Sequence, residues 1–233
     1  MKKRVLIAGA SGMVGKRILD KCLASPQVSN VVSLVRKEST ITHPKLQEVL
    51  VADFKDYTSL IDYFERIDAA FFRIGAYAGQ VSKSLFKEIT VDYAVRFAAV
   101  LKDKSPDASM CLLSGSGADR TEQSGMALAK YKGIAENGIS RLGLQFYAFR
   151  PGYIYPVTPR KEPSIMYRLL RWFYPILKRL SPDSSITSEQ LAQAMFNIGL
   201  HGANEEILEN SAILGYANSV STKEVQHSMN LNL

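Results

Sequence analysis

The run Val5-Leu-Ile-Ala-Gly9-Ala-Ser11-Gly12-Met13-Val14-Gly15 carries an apolar, β-branched stretch into three glycines, each three residues after the last. The pattern predicts a strand, a tight turn and the start of a helix. Gly9 permits the turn, Gly12 lets backbone come close to a bound group, and Gly15 lets the helix lie against the strand. The first-turn N–H groups of that helix, those of Met13 and Val14 among them, favour an anion together with the helix dipole, usually a pyrophosphate. The spacing is G-x-x-G-x-x-G rather than the common G-x-G-x-x-G. The strand before it makes the nucleotide reading specific; glycines without one would be a structural turn.

A second group of residues bears on which nucleotide. The second strand candidate ends at Val35 and is followed by Arg36 and Lys37. In NAD-binding units an acidic residue about 20 positions after the glycines takes the ribose hydroxyls. Here that place is basic. A carboxylate would repel a 2′-phosphate and Arg36 would pair with it, so the sequence favours NADP(H) over NAD(H). The bland alternative for Arg36 is a solvated surface charge. Ser11 would add a hydroxyl donor to the same phosphate. Asp53, in Val51-Ala-Asp-Phe54, would accept from an adenine amino group or else serve as a turn residue before the next helix. Gly75, after the fourth strand, would leave room for a ribose.

The elements that must position these residues are legible as an alternation. Strand candidates are Arg4–Ala8, Asn30–Val35, Gln47–Val51, Ala69–Ile74, Ala108–Leu113 and Gln145–Arg150. Helix candidates between them are Val14–Ala24, Tyr57–Phe64, Ser82–Lys102 and Met126–Arg141. Such alternation argues for βαβ units and a doubly wound parallel sheet, with ligands at the carboxyl ends of its strands. After Arg150 the character changes to a proline-rich stretch, an apolar, aromatic and basic segment over 164–180, and a helix over Ser188–Leu200 capped by Thr187 or Ser188. Ala212–Leu214 would add a last short strand. The expectation is an α/β fold of one domain over 1–233, with a small, mostly helical C-terminal portion, 151–233, on the substrate side.

The bulk properties fit a soluble enzyme-sized domain. The 233 residues are 46% hydrophobic and carry a net charge of +7. Cys22 and Cys111, the only cysteines, sit far apart in apolar runs without metal spacing, which suggests a reducing compartment. The apolar run before Gly9 is too short for a signal peptide, so the cytoplasm is the expected location. His43, His201 and His227 lie in loop or tail contexts without partners, and no metal site is expected.

Four segments carry a resemblance: Gly9–Gly15, Val51-Ala-Asp-Phe54, Leu112-Leu-Ser-Gly-Ser-Gly-Ala-Asp119 and Phe149-Arg-Pro-Gly152. The chain resembles the short-chain dehydrogenase/reductase superfamily, in its atypical branch with NAD(P)-binding, epimerase-like domains. Ser181-Pro-Asp-Ser184 and Glu206–Ile213 resemble the Tat-interacting oxidoreductase-like proteins of that branch. The resemblance implies a Rossmann fold, a dinucleotide cofactor and a small-molecule substrate pocket shaped by the C-terminal part.

It also implies a Ser, Tyr and Lys chemistry, with Tyr and Lys four apart on one helix. The lysine lowers the tyrosine pKa and binds the ribose; the tyrosine exchanges a proton with the substrate oxygen while hydride moves. Lys132 matches the lysine, but Leu128 stands where the tyrosine belongs. Tyr131 is adjacent to Lys132 and would point about 100° away. The serine is Ser114 or Ser116, which flank Gly115. Pro151 and Gly152 match the loop beside the nicotinamide. Tyr77, Tyr153 and Tyr155 are replacement acids or packing residues. An NADP(H)-dependent oxidoreductase on a carbonyl, alcohol or sugar-like substrate is the leading reading; a non-catalytic NADP(H)-binding sensor or interaction protein is the alternative.

The basic residues of 160–180 (Arg160, Lys161, Arg168, Arg171, Lys178 and Arg179) accompany an apolar helical spacing. A substrate lid, a surface for acidic membrane, or a protein or dimer contact would each use it. Nucleic-acid binding is not expected, because no recognition motif accompanies the charge. A monomer and a homodimer both remain open.

Overall fold

A computed structural model describes residues 2–76, 79–158 and 184–218. In chain order the first elements are β1 (Lys3–Ala8), α1 (Met13–Ala24), β2 (Val28–Val35), β3 (Leu46–Leu50), a 3-10 helix (Thr58–Phe64) and β4 (Ala69–Phe72). A continuous helical stretch follows, made of α2 (Lys83–Lys87), a π turn (Glu88–Asp92) and α3 (Tyr93–Lys104). Then come β5 (Ser109–Leu113), α4 (Ala127–Ser140), β6 (Gln145–Arg150), β7 (Tyr153–Tyr155), β8 (Ser185–Thr187), α5 (Ser188–His201) and β9 (Ile207–Glu209). A last helix, α6, covers 210–218.

The large sheet has seven strands in the order β3-β2-β1-β4-β5-β6-β9, every pair parallel. Its strands are short apolar runs because both faces are covered. Strand side chains alternate between faces, and the sequence sorts accordingly. Val5, Ile7, Val31, Ala69, Phe71, Cys111, Tyr147 and Phe149 pack with α1 and α5. Leu6, Ala8, Val32, Leu34, Ala70, Phe72, Met110, Leu112 and Phe146 pack with the 3-10 helix, α3 and Ile139 of α4. This is the expected Rossmann α/β fold.

Three details differ from the sequence reading. The long helix expected over Ser82–Lys102 contains a π turn. The last strand is Ile207–Glu209, not Ala212–Leu214: the edge of β6 is already taken by Ile207 to Glu209, and Ala212–Leu214 fall in α6, where Ile213 is buried. The strands β7 and β8 pair with each other in a separate small sheet and are too short for a two-residue period to be read. Thr187 is the cap of α5: its hydroxyl accepts from Gln190 N–H while Gln190 reaches back to the Thr187 N–H, a capping box. The 160–180 segment and Tyr77 lie outside the described residues.

Candidate functional site

The strand order reverses between β1 and β4, which are neighbours while the chain continues outward on either side. The carboxyl ends of such a pair frame the crevice where open α/β sheets take ligands. The glycine turn lies there. Gly9 adopts a positive φ of 92° and Gly12 N–H bonds back to its carbonyl at 3.2 Å. Gly12 is the N-cap of α1, with no side chain capping it and no acidic residue in the first turn. Lys16 N–H is the donor to the Gly12 carbonyl, so the N–H groups of Met13, Val14 and Gly15 precede the first helical bond. A methyl group at Gly15 would stand 2.1 Å from the Gly9 carbonyl oxygen, so α1 can start this close to β1 only with glycine.

Beside the turn, Ser11, Gly12, Met13, Lys16, Arg17, Asp20 and Thr158 line a pocket of about 300 Å³. The α1 cations there are already matched. Lys16 pairs with Asp20 at 3.0 Å, and Arg17 with Glu189 at 2.5 Å and Thr158 at 2.7 Å. Arg36 and Lys37, in contrast, are exposed just past β2 and have no ion pair among the described residues.

Asp53 Oδ1 accepts from Lys55 N–H at 2.9 Å, which is the turn role foreseen for it, and its Oδ2 lies 3.7 Å from Lys55 Nζ. The Phe54 ring is buried against Tyr57 and Tyr93, which leaves its backbone as the part free to meet a ligand. Open space surrounds the Cα of Gly75.

On the other side of the crevice, α4 grips the end of β5 twice, one helical turn apart. Lys132 Nζ donates to the Leu113 carbonyl at 2.8 Å, and Ser114 Oγ donates to Glu136 Oε1 at 2.5 Å. Glu136 is fully buried. It also accepts from Arg120 Nε at 2.9 Å and from Arg150 Nη2 and Nε at 2.5 and 3.0 Å. Arg120 and Arg150 hold second carboxylates, Glu206 at 2.6 Å and Glu209 at 3.1 Å. Burial alone would raise the Glu136 pKa; the bonds from Arg150, Ser114 and Arg120 outweigh it and hold the carboxyl below its ordinary value. Burial pushes Lys132 down to about 8, against an opposing pull from Glu136.

Ser116 is exposed, and its N–H donates to the Pro151 carbonyl at 3.1 Å. Gly152 has a packing reason of its own: a methyl there would lie 2.1 Å from the Ser184 carbonyl oxygen. Leu128 is 48% exposed, one turn before Lys132 on α4. Tyr131 is buried against Phe86 with ring centroids 5.9 Å apart, as its 100° offset from Lys132 requires. Tyr153 and Tyr155 are half-buried in β7.

Sequence reasoning did not single out Glu136 or Arg73. Glu136 follows Lys132 by four residues inside an apolar helix, where a lone acid needs partners. Arg73 follows the apolar Ala69–Phe72 directly, where a neutral residue would be ordinary.

The model for "NAD dependent epimerase/dehydratase family" matches residues 5–125, which span the glycine turn, the Asp53 turn and the Ser114 strand end. The chain belongs to this family. Over 226 residues it is 28% identical to "Protein HTATIP2" of Rattus norvegicus, covering 91% of this chain and 88% of that one. It is 25% identical over 223 residues to "Protein fmp52, mitochondrial" of Emericella nidulans, covering 91% and 94%. Among solved structures it is similar to the Bordetella bronchiseptica enzyme WbmF in complex with NAD+, with a TM-score of 0.65, 14% identity and coverage of 95% and 79%. As an epimerase/dehydratase-family Rossmann protein it presents no metal cluster of His, Cys, Asp or Glu among the described residues. No described helix is long and apolar enough to cross a membrane.

Proposed function

We propose that this epimerase/dehydratase-family chain binds NADP(H) across the β1/β4 crevice and acts as an oxidoreductase on a small carbonyl, alcohol or sugar-like substrate. The observation that carries the reading is the uncapped, acid-free start of α1 on three glycines at the point of strand reversal, with Arg36 exposed at the end of β2 and without an ion pair among the described residues. That cradle fits a dinucleotide: a methyl at Gly15 would collide with the turn, and the Met13 and Val14 N–H groups are left for phosphate oxygens. When bound, the cofactor would supply or accept a hydride.

The residues divide the work. Gly9, Ser11, Gly12, Met13, Val14 and Gly15 would hold the diphosphate, and Arg36 with Lys37 the 2′-phosphate. Asp53 and the Phe54 backbone would meet the adenine end, while Gly75 would leave room for a ribose and Pro151 and Gly152 would form the loop beside the nicotinamide. Lys132 would leave the Leu113 carbonyl for a ribose hydroxyl, and Ser114 or Ser116 would orient the substrate oxygen. Activity with NADPH across a panel of carbonyl substrates, abolished by Lys132→Ala, tests the reading.

Two observations favour a second reading, an NADP(H)-binding sensor that does no chemistry. Leu128 has no acid to offer at the position one turn before Lys132, and the Ser114 hydroxyl is committed to Glu136. Tight NADPH binding without turnover on any member of the panel would support it. Location and partners, including a membrane or protein contact through 160–180, belong to this proposal as well; a cytoplasmic site is one option and the mitochondrion named for the Emericella relative is another.

A further inference from the structure

Arg73 is the first residue after β4, and its N–H donates to the Ala8 carbonyl of β1 at 3.0 Å. It therefore stands at the strand reversal itself, and its guanidinium reaches the glycine turn. A methyl group at Gly15 would come within 2.8 Å of Arg73 Nη2, and one at Gly12 within 3.5 Å. The two glycines thus make room for a guanidinium as well as for backbone.

That guanidinium has no described counter-charge. Nε and Nη1 are sealed from solvent and make no hydrogen bond among the described residues. Arg120 and Arg150, by contrast, are matched to the Glu136 carboxylate. Burial lowers the Arg73 pKa to about 9, which leaves the side chain charged at neutral pH. It lies beside the positive end of α1, whose first turn carries no acidic residue. Arg73 is half-buried, with two of its three guanidinium nitrogens sealed and unpaired; that is costly for a charge, and a helix N-terminus of the same sign adds to the cost. Two positive features at one spot, both without an internal anion, are relieved together by an external one.

We propose that Arg73 is a built-in ligand for the diphosphate, meeting it beside Gly12 and Gly15 while the α1 N–H groups meet it from the helix side. The site is an anion seat for a diphosphate, with the guanidinium contributing the charge that a glycine turn alone lacks. This rests on the dinucleotide reading above, which supplies the diphosphate. It goes further by assigning a residue outside the glycine motif to hold that group.

The test compares wild-type chain, Arg73→Met and Arg73→Lys by calorimetric titration with inorganic pyrophosphate, ADP-ribose and NADPH at low salt, together with thermal melts without ligand. The proposal predicts that Arg73→Met weakens pyrophosphate and ADP-ribose about ten- to a hundredfold, the usual worth of charge-assisted bonds. Arg73→Lys should fall in between. The melting temperature of ligand-free Arg73→Met should equal or exceed that of wild type, since a half-buried charge with two sealed, unpaired nitrogens has been removed. Equal pyrophosphate affinity in wild type and Arg73→Met overturns the proposal, as does a lowered melting temperature with binding unchanged. Arg73-dependent pyrophosphate binding without any NADPH binding sinks the dinucleotide reading and leaves the anion seat standing. NADPH binding that Arg73→Met leaves intact does the reverse.

Discussion

Ser114 donates its hydroxyl to the buried Glu136 carboxylate at 2.5 Å, and that bond ties the end of β5 to the middle of α4. Glu136 in turn gathers Arg120 and Arg150, so one carboxylate accepts four hydrogen bonds from three residues. Removing it leaves two guanidinium groups short of charge. Glu136→Gln should cost about 3–5 kcal/mol, measured by urea unfolding at neutral pH.

The same bond carries a pH signature. The Glu136 pKa is depressed in the folded chain, so its contribution is complete above the ordinary carboxylate value of about 4 and is lost as pH falls through the lower folded value. The stability gap between wild type and Glu136→Gln should therefore hold from neutral pH to about 5 and shrink below about 4. A gap that stays constant down to acid pH would show that charge is not what Glu136 contributes.

Lys132 has the opposite sense. An ordinary lysine titrates near 10.4, and burial brings Lys132 to about 8. Between those values the unfolded chain keeps a proton that the folded chain has released, so this residue adds stability as pH rises through that window. Wild type should gain on Lys132→Met over that interval in urea unfolding. The comparison isolates Lys132, because the buried thiols of Cys22 and Cys111 are common to both chains.

Leu128 and Lys132 are one turn apart on α4, and Leu128 is exposed. Leu128→Tyr places a phenol at that position without burying new volume. If proton transfer limits turnover, steady-state rates with NADPH and a carbonyl substrate should rise about 10²-fold or more. An unchanged rate would direct attention to the committed Ser114 hydroxyl.

Much of this architecture is visible in the residues alone because its signals are local. Val5–Gly15 reads as strand, turn and helix since β-branched runs and glycine spacing report on adjacent backbone. Thr187 with Gln190 spells out a cap in four residues. What could not be read is set by distance in sequence. Glu136 and Arg150 are 14 residues apart, and Glu136 and Arg120 are 16 apart, joined only once α4 lies beside β5 and β6. Arg73 reads as a charge within the strand candidate Ala69–Ile74, and only the fold brings its guanidinium to the glycines across from it. Ile207–Glu209 is too short to show a two-residue period, and only its pairing with β6 makes it, rather than Ala212–Leu214, the last strand.

The proposed NADP(H) site depends on the glycine turn and Arg36. Titration calorimetry of the wild-type chain and Arg36→Asp with NADPH and NADH tests it most directly. Wild type should bind NADPH more tightly than NADH, and Arg36→Asp should weaken NADPH about ten- to a hundredfold with little change for NADH. Equal losses for the two nucleotides, or no binding of either to wild type, would contradict it.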